Sequence, residues 1–113
     1  MANNKEQKKT PWVDDAIKHL ATLLKEALEL ADEDDALPTT EALAKGTEVL
    51  KAYSHASAPK IGVSTDGDFV FTWENHGDAF KVFVRPNAQV LYFRNKKLVK
   101  TEEFSNLLTA IPA

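Results

Sequence analysis

Apolar residues recur every three or four positions from Val13 to Ala31, and beyond Pro59 they recur at every second position. The first rhythm belongs to an amphipathic helix, the second to strands half-buried in a sheet. In the helical part, Val13, Ile17, Leu20, Leu24, Leu28 and Ala31 form a stripe that Trp12, Ala16, Leu23, Ala27 and Leu30 widen. A stripe this broad implies more than one neighbour, or a partner chain. Thr10 and Pro11 suit the start of this helix, because a hydroxyl caps and a proline lacks the N–H that would go unpaired there. Asp14 and Asp15 complement the helix dipole, whereas Asp32-Glu33-Asp34-Asp35 oppose it and predict an exit into a loop closed by Leu37-Pro38. A second helix is predicted from Thr39 or Thr40 to about His55. Leu43, Leu50 and Tyr53 share one face, Val49 lies beside it, Glu41 and Lys45 form an i,i+4 pair, and Gly46 permits a close helix crossing.

The alternating part divides at turn residues. Strands are predicted at Lys60–Ser64, Phe69–Glu74, Ala79–Val84 and Gln89–Arg94, with Leu98-Val99 adding a few extended residues. Asp66-Gly67, Asn75-His76-Gly77-Asp78 and Arg85-Pro86-Asn87-Ala88 turn the chain, and Asn95-Lys96-Lys97 closes the meander. A last helix begins at Thr101, with Glu102 and Glu103 at its positive end and Phe104, Leu107, Leu108 and Ile111 as its apolar stripe, and Pro112 ends it. The fold class is therefore α+β: two N-terminal helices, a four-stranded antiparallel meander and a C-terminal helix, packed in two layers.

Loop length assigns side chains to faces. A four-residue loop at 75–78 pairs Glu74 with Ala79, and a four-residue loop at 85–88 pairs Val84 with Gln89. One face then collects Phe69, Phe71, Trp73, Phe80, Val82, Val84, Leu91 and Phe93, which is the expected core. The opposite face collects Val70, Thr72, Lys81, Phe83, Arg85, Val90, Tyr92 and Arg94, mixing aromatic rings with positive charge.

At 113 residues the chain is long enough for one domain, read as residues 10–113 behind a disordered polar tail at 1–9. The net charge of −3 argues against a general DNA binder. The absence of cysteine excludes thiolate zinc sites and thiol nucleophiles, and no stretch reaches the apolar length of a membrane span. A cytoplasmic location fits both. No secretory signal is seen in the polar N-terminus. His19, His55 and His76 stand in no metal-binding pattern, Asp66-Gly67-Asp68 lacks the later ligands of a calcium loop, and Ser54 and Ser57 beside His55 make no triad. No catalytic, metal or cofactor site is expected.

The segment Ala58-Pro59-Lys60-Ile61-Gly62-Val63-Ser64-Thr65-Asp66-Gly67, followed by Phe69-Val70-Phe71-Thr72-Trp73, resembles a group of small bacterial and phage proteins. In these, a Pro-x-Ile strand, an Asp-Gly turn and a strand ending in Trp precede a second hairpin with a late Tyr, the place Tyr92 takes here. Pro86-Asn87-Ala88 stands where their second Asp-Gly turn would be. The resemblance implies no catalytic residue. Similar reading frames often lie near toxin–antitoxin or defence loci, which makes an antitoxin-like, immunity or anti-defence inhibitor the expected role.

The expected function is thus a non-enzymatic protein-binding module that occludes a protein partner, with Lys81, Phe83, Arg85, Tyr92 and Arg94 as the candidate surface. A homodimer through that face is one arrangement. The rival is a single-stranded nucleic-acid binder that stacks bases on the same face. An enzyme whose site forms between subunits is a third reading.

Overall fold

The change of period after Pro59 is a change of layer. A computed structural model describes residues 12–75 and 77–109. Within them α1 (Val13–Leu30) and α2 (Thr40–Ala52) precede β1 (Lys60–Val63), β2 (Phe69–Asn75), β3 (Asp78–Val84), β4 (Val90–Arg94), β5 (Lys97–Val99) and α3 (Thr101–Thr109). The strands form one antiparallel sheet in the order β1-β2-β3-β4-β5, so each strand pairs with its neighbour in sequence. The shortest dimension of the molecule is 21 Å, the thickness of one sheet and one helical layer. The tail at 1–9, Thr10, Pro11, His76, Ile111 and Pro112 lie outside the described residues, and so does the side chain of Leu107.

The helices lie on the face that carries Phe69, Phe71, Trp73, Phe80, Val82 and Val84, all buried. α1 contributes Ala16, Leu20 and Leu24, α2 contributes Ala42, Val49 and Leu50, and α3 contributes Phe104 and Leu108. Gly46 permits the close approach: a Cβ there would lie 2.9 Å from Leu20 Cδ2 and 3.3 Å from Phe71 Cζ. Phe104 anchors α3 among the rings of Tyr53, Trp73, Phe80 and Tyr92, with centroids 5.1 to 6.3 Å away. The two indoles hold the α2–β1 linker, Trp12 Nε1 donating to the Ala56 carbonyl (2.9 Å) and Trp73 Nε1 to that of Ser57 (2.7 Å). Both indole N–H groups are thereby satisfied where they leave water.

Several expectations are corrected. The sheet has five strands, because Asn95 and Lys96 both adopt positive φ (51° and 73°) and make a two-residue turn that brings β5 back along β4. α2 ends at Ala52, with Tyr53 as its C-cap, rather than near His55. Lys45 pairs with Glu48 at 3.2 Å instead of with Glu41. Most consequentially, Val84 pairs with Val90 and not with Gln89. Residues 85–89 form a type I turn whose third loop residue, Ala88, takes φ 71°, with Ala88 N–H donating to the Arg85 carbonyl and Arg85 N–H to the Gln89 carbonyl, both at 2.8 Å. That bulged turn holds one residue more than the assumed loop, and a one-residue slip moves every β4 side chain to the other face. Val90 and Tyr92 therefore pack on the helical side. Leu91 and Phe93, expected in the core, lie outside with Phe83 and Lys81.

Candidate interaction surface

The sheet's second face has no helix over it among the described elements. The pairings place Val70, Phe83 and Leu91 in one row across the strands, and Lys60, Thr72, Lys81, Phe93 and Leu98 in the next. Val70, Phe83, Leu91 and Phe93 are half-buried by one another, while Leu98 is 64% exposed. Gly62 extends the first row, and a Cβ there would meet nothing within 4 Å, so the face is open above it. Phe83 and Phe93 are diagonal neighbours on adjacent strands, their rings edge-to-face with centroids 5.4 Å apart. They line a hollow of about 540 Å³ together with Glu74, Ala79, Lys81, Asn95 and Lys96.

The five residues expected to form the surface separate into two groups. Lys81 and Phe83 are on it. Arg85 is engaged at the sheet end, its Nε 2.8 Å from Oδ1 of Asp68, a carboxylate buried to 6% exposure whose other oxygen accepts from Ser64 Oγ at 3.2 Å. Arg94, on the helical side by the corrected register, pairs through Nη2 with Asp78 Oδ2 at 3.3 Å, and Asn95 Nδ2 donates to Oδ1 of the same Asp78 at 2.8 Å. Tyr92 lies against Phe104 between the layers. Burial raises its phenol above the ordinary tyrosine value, the Tyr53 hydroxyl adds to this, and a hydrogen bond with Thr101 acts the other way.

Leu91, Phe93, Lys96 and Leu98 were not expected on this face. For Leu91 and Phe93 the signal is a spacing. Ser64–Asp68 has the same length as Arg85–Gln89 and the same bonds, Gly67 N–H to the Ser64 carbonyl (3.0 Å) and Ser64 N–H to the Asp68 carbonyl (2.9 Å). Gly67 supplies the positive φ (82°) in one turn, but alanine occupies that position in the other and conceals the likeness.

Among the described residues no three His, Asp or Glu side chains gather as a metal site, and His19 and His55 are exposed. No described helix is long and apolar enough to cross a membrane. In comparisons with known proteins, no family model, curated protein or solved structure matches the chain.

Proposed function

We propose that the chain is a non-enzymatic protein-binding module that works through the outer face of its sheet and acts by occluding its partner, as an antitoxin-like, immunity or anti-defence inhibitor does. The observation that carries this reading is the contrast between the two faces. One is sealed under three helices, and the other carries the half-buried Val70, Phe83, Leu91 and Phe93 beside the exposed Leu98 in two adjacent rows that no described helix covers. Such a patch, rimmed by polar groups, marks an interaction site. The corrected register also favours protein over single-stranded nucleic acid, because Tyr92 and Arg94 leave the face and Arg85 is held by Asp68. Among the described residues a stacking platform keeps two rings there, Phe83 and Phe93.

The test is affinity capture from the native host with wild type and with Phe83→Ser/Phe93→Ser. The double variant is expected to keep its circular dichroism and lose the captured partner. Capture that survives both substitutions in a folded protein refutes the reading.

A further inference from the structure

The face is not only apolar but basic, in a chain that is acidic overall at −3. Among the described residues its unpaired charges are Lys60, Lys81 and Lys96 against one acid, Glu74. Both arginines near it are held in ion pairs, Arg85 by Asp68 and Arg94 by Asp78. The three lysines make no ion pair among the described residues. Lys81 and Lys96 line the same hollow as Phe83 and Phe93. A hollow lined by two apolar rings and by two lysines that make no ion pair is complementary to an apolar side chain with carboxylates close to it.

We infer that the occupant of this hollow is an acidic, leucine- or phenylalanine-bearing segment of a different protein. Its apolar anchor rests on the Phe83–Phe93 pair, and its carboxylates meet Lys81 and Lys96. The inference rests on the binding-module reading and adds the partner's chemistry to it. A second copy packed face to face would set three lysines and one glutamate against the same set, which is repulsive. The chain's own N-terminal residues 1–11 hold three lysines and one glutamate, so their charge does not match the face either. The chain does contain a segment of the right composition, Leu28-Glu29-Leu30 leading into Asp32–Asp35. That segment cannot reach the hollow in its own molecule. Leu37, just after it, lies against Gly67 at the sheet end where the 64–68 and 85–89 turns sit, whereas Asn95 and Lys96 mark the opposite end.

The experiment uses the whole chain and a fluorescent twelve-residue peptide of alternating Leu-Leu and Asp-Asp pairs, followed by anisotropy at low and physiological salt. Two control peptides replace aspartate by asparagine, or leucine by serine. Binding is expected for the first peptide, at least tenfold weaker for either control, and weakening with salt as screening requires. Lys81→Glu/Lys96→Glu should lower affinity at least tenfold with an unchanged melting temperature, since neither lysine is buried. No binding at low salt, equal binding of the asparagine peptide, or affinity indifferent to the lysine substitutions overturns the inference. So does tighter binding of oligothymidylate, which assigns the face to nucleic acid, or a concentration-dependent dimer that excludes the peptide, which assigns it to a second copy. In the capture experiment the two claims separate. A partner lost with Phe83→Ser/Phe93→Ser but retained by Lys81→Glu/Lys96→Glu leaves the module reading intact and removes the acidic partner.

Discussion

Two five-residue turns close one end of the sheet, and they differ in the residue at their left-handed position. Gly67 adopts φ 82° at no steric cost, while Ala88 adopts 71° against the preference of an L-residue. Ala88→Gly is therefore expected to raise unfolding stability by roughly 0.5–1 kcal/mol in urea melts. Gly67→Ala should lose about 2 kcal/mol or more, because its Cβ would also stand 2.9 Å from the Leu37 backbone. Between the turns, Arg85 neutralises a carboxylate that is out of water, and Arg85→Ala should cost about 1–3 kcal/mol without weakening partner capture. That pair of readouts separates a structural arginine from a binding one. Tyr92 gives a pH dependence. Its folded value is raised from 10.0, so the unfolded chain ionises first as the pH climbs. The contribution is complete below the unfolded value and is lost as pH rises through the folded one, so alkaline melts should fall more steeply for wild type than for Tyr92→Phe.

The elements were legible wherever a local rule decides them. The helices, the β2–β3 register and the core face from Phe69 to Val84 follow from periodicity and from a turn rich in Gly and Asp. The β3–β4 register was not legible, since a proline and an alanine mask a bulged turn that glycine would have announced. β5 was obscured for a similar reason, with lysine at the second positive-φ position of its turn. The first hidden turn accounts for the misplacement of Tyr92, Arg94, Leu91 and Phe93, and the second for the unexpected Leu98, so the candidate surface was only half readable. At this scale the helix crossing is the sensitive joint. Gly46→Val should lose about 2–3 kcal/mol, as overpacking against Leu20 and Phe71 outweighs any gain in helix propensity. Thr39 makes a second joint, its hydroxyl accepting from Ala42 N–H at 3.0 Å and donating to the Pro86 carbonyl at 2.6 Å, which couples the α2 cap to the 85–89 turn.

At the scale of the whole molecule, the two faces of one sheet should answer differently to the same chemistry. Phe71→Ala opens a fully buried site and is expected to cost about 3–5 kcal/mol. Phe83→Ala, on the open face, should cost about 1.5 kcal/mol or less, its effect falling on binding instead. Thermal melts of the two variants check this directly, and similar losses would mean that the outer face is covered in the free protein. The end of α1, where Leu28 is 53% and Leu30 81% exposed, is another apolar stretch of the described surface and accounts for part of the over-wide helical stripe.

The nearest-neighbour order of the strands bears on how the chain is made. Each strand finds its partner by closing a turn of a few residues, so the entropy of loop closure is small at every step. A bare meander would nevertheless expose apolar side chains on both sides while it waited for cover. Here α1 and α2 precede the strands in the chain, so during synthesis two of the three covering helices already stand outside the ribosome when β2 and β3 emerge. The part of the sheet under α1 and α2 is then covered as it forms, and the part that packs on Phe104 waits for α3, the last element of the chain.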